Sequence, residues 1–229
     1  LLETFISPLY ISLKTVLVST IITFFLGIAA ARWMAHSKSR FKSLIDSLLL
    51  LPLVLPPTVV GFGLLLFFGK NGPMGKLLDL FGTTVVFSWP ANVITAVIVS
   101  FPLMYISARG GFEQVDINIE NAARTLGAGE WRLFWTVTMP LSWPSVMAAT
   151  VLAFARALGE FGATLMLAGN IPGKTTTIPV AIYFKIQAGH FNEALILTLI
   201  VLVFALCSLI LLAYWKGKSQ KNERGRSLA

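Results

Sequence analysis

The chain has 229 residues, 56% of them hydrophobic, and a mean hydropathy of +0.79. That composition excludes the soluble globular class and leaves no room for a soluble catalytic domain beside a membrane one. The formal charge of +8 would suit a nucleic-acid partner, but the basic residues are dispersed between apolar runs, which excludes that reading.

Crossing a bilayer takes about 20 apolar residues. Charge-free windows at Thr15–Ala31, Ser47–Gly69, Leu80–Ala108, Leu133–Ala155 and Ala194–Trp215 therefore predict five spanning helices. The first window reaches that length with its snorkelling flanks, Lys14 and Arg32. This first helix, from about Pro8 to Met34, lacks a basic leader and a small-residue cleavage site, so it reads as retained. Helix two contains P-L-V-L-P-P-T-V-V-G, Pro52 to Gly61. Three prolines kink or break it and free carbonyls that need protein or water as partners. Pro56, Pro57 and Thr58 are thus candidates for lining a path, against a kink that serves packing alone. The N-G-P-M-G within Lys70–Asp79 predicts a turn, and helix three follows Trp89-Pro90 and carries Pro102.

A short polar helix comes next. Ile119, Ala122, Ala123 and Leu126 share one face, while Asn118, Glu120, Asn121, Arg124 and Thr125 take the other. Asp116 is its expected N-cap and Gly127 the left-handed residue that ends it. Its two alanines leave little bulk, so a partner surface can approach closely. Trp131, Phe134 and Trp135 recur beside Arg132, as in a second short helix lying in the interface or in plain packing against helices three and four. Pro140 and Pro144 then turn the chain into helix four.

Helix four carries Arg156 and Glu160 one turn apart, with Gly159 and Gly162 thinning the backbone and Thr164 following. Each charge costs about 2.5–3.5 kcal/mol at the centre of an isolated helix, so the two must pair and face a bundle interior or a watery path. A salt bridge that only fixes packing is the alternative. G-N-I-P-G-K-T, Gly169 to Thr175, is one residue short of a P-loop and follows a membrane helix rather than a strand, so nucleotide binding is not expected. An outward loop is, with its amides and Lys174 as a weak attractor for anions. Thr175–Phe184 is too short to span and suits a re-entrant or surface segment. Cys207, the single cysteine, reads as a small core residue, and His36 and His190 read as loop surface. No internal repeat, catalytic constellation or metal-spaced cluster is present, so catalytic and metal residues are expected to be none.

Placing the first loop, the polar helix region and the C-terminal tail in the cytoplasm puts twelve of eighteen basic residues inside and five outside, with Arg156 in the membrane. This positive-inside bias sets the N-terminus outside and the C-terminus in the cytoplasm, its tail solvated or on anionic lipid.

The stretch E-N-A-A-R-T-L-G-A-G-E-W-R-L-F-W-T-V-T-M-P, Glu120 to Pro140, resembles the EAA loop of ABC-transporter permeases. Glu120, Ala123, Gly127 and Pro140 match that pattern, and Asn121 departs from it. Together with A-R-A-L-G-E-F-G-A-T, G-N-I-P-G-K-T-T-T-I-P and L-P-L-V-L-P-P-T-V-V-G, nearly the whole chain resembles the molybdate permease subunit of bacterial ABC importers. Sulfate permeases carry related strings. The resemblance implies an all-α polytopic type I importer fold, one transmembrane domain over 1–229, and a coupling loop over about 115–140. It implies that Glu120, Ala122, Ala123, Arg124, Gly127 and Pro140 couple to an ATPase, and that Pro56, Pro57, Thr58, Arg156, Glu160 and Thr164 flank the path. Some members add an N-terminal helix that this sequence is expected to lack.

The implied partners are a second copy of the chain, two cytoplasmic ATPase subunits that hold ATP and Mg, an extracytoplasmic oxyanion-binding protein, and lipid of a bacterial or archaeal cell membrane. No cofactor on this chain and no nucleic acid are expected. Molybdate is the favoured cargo, with sulfate or tungstate as the alternative. A membrane-embedded enzyme using Arg156 and Glu160, or a passive channel, would need no polar docking helix between helices three and four.

Overall fold

A computed structural model describes the backbone of residues 2–37 and 39–227 and the side chains of 5–37 and 39–210. Among the described residues every regular element is helical. The basic side chains of Lys38 and of the tail, Lys216, Lys218, Lys221, Arg224 and Arg226, lie outside the described set.

In chain order the helices are α1 (Leu2–His36), α2 (Lys42–Val54), α3 (Pro57–Phe68), α4 (Pro73–Asp79), α5 (Trp89–Glu113) and α6 (Ile117–Thr125). Then follow α7 (Glu130–Leu133), a π-turn segment (Phe134–Thr138), α8 (Met139–Leu158), α9 (Gly162–Leu167), α10 (Ile178–Gln187) and α11 (Phe191–Ser227).

Four stretches are long and apolar enough to cross a membrane: Phe5–His36, Trp89–Glu113, Glu130–Leu158 and Phe191–Ile210. The fifth candidate is α2 with α3, bent by 110°. The neighbours of this pair place its two halves toward opposite ends of α5. α1 runs from beside the start of α5, where Trp89 Nε1 donates to Thr15 Oγ1 at 3.0 Å, to beside α6, where His36 lies 3.7 Å from Glu120. Asp46 of α2 meets Arg109 near the α6 end of α5. α3 lies on α9, whose Leu167 carbonyl accepts from Phe87 N just ahead of α5. The bent pair therefore carries the chain from one end of α5 to the other, which gives four crossings, or five with this pair as one broken span, against the five the sequence predicts.

The break itself is complete. Leu55 and Pro56 are extended, and Pro57 opens α3 at a position where its missing N–H costs nothing. A similar rule shortens the expected Lys70–Asp79 turn: Pro73 starts α4 at once. The bundle core lies between α1, α5 and α8, where Met34, Met104, Tyr105, Ala108 and Val146 are wholly buried.

Four expectations are corrected. No turn separates the aromatic stripe from helix four: Glu130–Leu158 is one continuous helical stretch, with Pro140 in the first turn after the π segment. Helix four ends at Leu158, so Glu160 lies in a break rather than inside a helix. Cys207 is exposed on α11 instead of in a core, because most of that helix faces away from the rest of the chain. His36 closes α1 and approaches Glu120 rather than belonging to the loop.

Candidate functional site

α6 forms as its sequence dictates at both ends. Asp116 Oδ1 accepts from Asn118 N at 2.8 Å, the N-cap bond. Gly127 adopts φ 85°, and the Ala128 amide reaches back to the Ala123 carbonyl at 3.0 Å, closing the helix in the left-handed manner that glycine permits.

Its faces sit differently from what periodicity suggests. The inward positions of the helix are Glu120, only 3% exposed, and the half-buried Ala123 and Arg124, while Asn118, Asn121 and Thr125 are exposed. Glu120 Oε1 accepts from Thr138 Oγ1 at 2.9 Å, and Oε2 accepts from Arg124 Nη2 at 3.3 Å. Arg124 also donates to Glu130 Oε1 at 2.7 Å and Asn121 Oδ1 at 3.0 Å. The Glu130 bond raises Arg124 above the ordinary arginine value. Arg32 braces the same region, donating to the Glu130 carbonyl at 2.9 Å with its guanidinium 4.0 Å above the Phe134 ring. The apolar side is left free: Leu126 is 89% exposed, and Ile119 and Ala122 are exposed beside it, with Ala123 half-buried. Pro140 is exposed two residues beyond Thr138.

At the other end of α8 a second constellation assembles around the break. Arg156 Nη1 donates to Glu160 Oε2 at 3.0 Å, an ion pair in which Glu160 is 3% exposed. Glu160 Oε1 also accepts from Ala163 N at 2.8 Å, satisfying one of the amides that the start of α9 leaves open. The pair thus survives the end of the helix, because the carboxylate has found a backbone donor in place of a helical turn. Gly162 gives the close approach expected of it: a Cβ there would stand 3.2 Å from Pro57 Cβ and 3.3 Å from Thr58 N. Gly159 does not, since its nearest atom is the Ala155 carbonyl of its own helix at 3.9 Å. The two discontinuous helices therefore meet break to break, which places Pro57, Thr58, Glu160 and Thr164 in one neighbourhood with Pro56 at its edge.

Sequence reasoning missed the buried polar residues behind this point. Thr164 Oγ1 lies 3.0 Å from Thr95 Oγ1. A small cavity is lined by Ser12, Thr15, Asn92, Glu160, Thr164 and Thr177, with room for about one water. Asn92 Nδ2 donates to the Thr175 carbonyl at 2.9 Å, while Asn92 Oδ1 and Thr177 Oγ1 have no partner among the described residues. The available signal was the presence of Asn92 and Thr95 within an otherwise apolar span. In the loop Gly169–Thr175 the amides of Lys174 and Thr175 donate to the Ile171 carbonyl, and the Ile171 amide donates to Thr175 Oγ1 at 3.0 Å.

Comparisons with known proteins agree with this architecture. The solved structure of a bacterial ABC transporter involved in alginate import shares the fold at a TM-score of 0.75 and 16% identity, over 96% of this chain and 80% of that one. The MetNI methionine ABC transporter does so at 0.70 and 12%, over 92% and 95%. In sequence, the chain is 45% identical to the molybdenum transport system permease protein ModB of Escherichia coli K12, over 94% of this chain and 95% of the relative. It is 44% identical to the putative molybdenum transport permease YvgM of Bacillus subtilis, over 81% and 82%. The sulfate transport permease CysW of Synechococcus elongatus is more distant, at 34% over 86% and 69%. The model of the binding-protein-dependent transport system inner membrane component matches residues 23–217, and the chain belongs to that family.

Proposed function

We propose that this chain is the membrane-spanning subunit of an importer for molybdate. The observation that carries the reading is the 45% identity to a molybdenum permease along 94% of the chain, against 34% to a sulfate permease. The chain performs no chemistry of its own. ATP and Mg belong to two ATPase subunits, which meet the exposed apolar side of α6 formed by Ile119, Ala122 and Leu126. An apolar helix face bounded by charge and left uncovered is what a helix-in-groove partner requires. Ala123 and Gly127 keep that helix slim and short, and Pro140 begins the crossing behind it.

Two copies of the chain enclose the path, since five crossings are too few to surround one. The surface around Pro56, Pro57 and Thr58, exposed within the single chain, faces the two-fold axis in this reading. The N-terminus lies outside, where an oxyanion-binding protein delivers cargo, and the C-terminus lies in the cytoplasm beside anionic lipid.

Reconstitution into liposomes with the neighbouring ATPase and binding protein tests the proposal. Uptake of radiolabelled molybdate that depends on internal ATP and survives a large excess of sulfate is expected. Uptake of sulfate in preference to molybdate would overturn the cargo, and uptake without the ATPase would overturn the mechanism.

A further inference from the structure

The polar cavity behind the break is walled by groups whose donors and acceptors do not balance. Asn92 is wholly buried, and its orientation is fixed because the Thr175 carbonyl, 2.9 Å from Nδ2, can only accept. Oδ1 is therefore the end turned from that carbonyl, an acceptor with no partner among the described residues. Thr177 stands at the N-cap of α10, where a threonine ordinarily binds a free amide, yet it makes no capping bond. Ile178 N, the first amide of that helix, is held by Ser12 Oγ of α1 at 2.7 Å, and Thr177 Oγ1 stays on the cavity wall unpartnered among the described residues. Ser12 Oγ accepts that bond and Thr15 Oγ1 accepts from Trp89 Nε1 at 3.0 Å, so both hydroxyls still have a proton to give. Each Glu160 oxygen accepts one bond, from Arg156 or from Ala163 N, and has a lone pair to spare.

We propose that this cavity is a water-binding site. One molecule accepts from the hydroxyl of Thr177 and from that of Ser12 or Thr15, and donates to Asn92 Oδ1 and to the Glu160 carboxylate. The cavity has room for about one water, and a buried water holds about three such bonds. Only an occupant that both gives and takes protons serves these walls. A cation takes none of the hydroxyl protons, and Arg156, 3.0 Å from Glu160, already supplies the positive charge. A tetrahedral oxyanion is too large and meets a carboxylate. On this side Glu160 thus faces water, whatever cargo the chain carries, and the inference does not depend on the cargo. The bound molecule joins α1, α5, the break between α8 and α9, and the start of α10 at one point. It fastens α10, which otherwise packs chiefly on α11, to the bundle.

Amide exchange in α10, measured on the complete transporter complex in detergent, tests the site. Thr177→Val keeps the shape and removes the hydroxyl. Replacing an unsatisfied buried hydroxyl by a methyl group leaves stability unchanged or raises it, whereas removing a partner of a bound water lowers it. Exchange in α10 is expected to quicken about fivefold, the factor equivalent to one hydrogen bond, and to stay near the parent rate in Thr177→Ser. A rate in Thr177→Val at or below that of the parent overturns the site, as does a rate in Thr177→Ser equal to that of Thr177→Val. The parent should exchange equally fast in sodium chloride and in choline chloride; protection that grows with sodium identifies a cation and overturns the water. A density map of the parent complex that resolves ordered waters decides independently, including where Thr177→Val fails to assemble. A peak within hydrogen-bond distance of both Asn92 Oδ1 and Thr177 Oγ1 supports the site, and a map with other ordered waters but no peak there overturns it.

Discussion

Gly61 of α3 lies so close to α9 that a Cβ on it would stand 2.6 Å from the Ala163 Cα and 2.9 Å from Met166 Cβ. The obstacle is backbone, which cannot step aside as a flexible side chain does. Gly61→Ala should therefore push the broken helices apart at a cost of about 1–3 kcal/mol, the range for overpacking. Gly63, two residues on, has nothing within 4 Å of the point where a Cβ would stand, and serves as the control within this chain. Thermal midpoints in detergent should fall for Gly61→Ala and hold for Gly63→Ala. Equal midpoints would contradict the close approach.

Arg156 and Glu160 should behave as a unit. Removing one partner of a buried pair costs about 3–5 kcal/mol, and less here because Arg156 is 28% exposed. Glu160→Gln keeps an acceptor for the Ala163 amide but strands the arginine, and Arg156→Gln strands the carboxylate. The double substitution should recover complex yield above either single change. Strictly additive losses of yield would show that the two residues do not interact.

α2 has no fully buried residue, so its hold on the bundle depends heavily on Asp46, which accepts from Tyr105 at 2.6 Å and pairs with Arg109 at 2.6 Å. Arg109 has a second partner in Glu113 and remains paired if Asp46 is lost. Asp46→Ala should speed amide exchange across α2 about tenfold or more, as loss of a charged hydrogen bond allows, and leave α5 nearly unchanged. Exchange that rises equally in both helices would contradict this division.

Gly127 has a positive φ and open space around its Cβ direction, so any penalty there is conformational rather than steric crowding. Gly127→Asn should be tolerated and Gly127→Val should cost about 1–2 kcal/mol, since β-branched side chains resist this region. Uptake should follow the same order, parent and Asn above Val, with all three reaching the membrane. Similar uptake in Val and Asn would mean that the helix end needs no left-handed residue.

The crossings were legible because length of apolar run is a one-dimensional property, and Asp116 and Gly127 were legible because capping is local. The orientation of α6 was not. Periodicity separated Glu120 from Ile119 and Leu126 correctly, but which face turns inward depends on Thr138, 18 residues away, and on His36 in another helix. Pro140 misled for a physical reason: the π turn shifts the hydrogen-bond register just ahead of it, so it stands in the first turn of α8, whereas Pro144 lies inside α8 without ending it. Arg156 and Glu160 were paired correctly through the wrong geometry, because Gly159 ends the helix between them. Asn92 and Thr177 went unread because a lone polar residue in a span gains meaning only from what it faces.

In the stretch Phe191–Ile210 of α11 only 11% of the residues are buried within the chain, against 67% for α5, and Ala194 and Leu197 are the ones held fast. Such a segment is held by few contacts within its own chain. Its demand is for a composition, with no demand for an order: Leu, Ile, Val and Phe can be permuted along it so long as Ala194 and Leu197 stay.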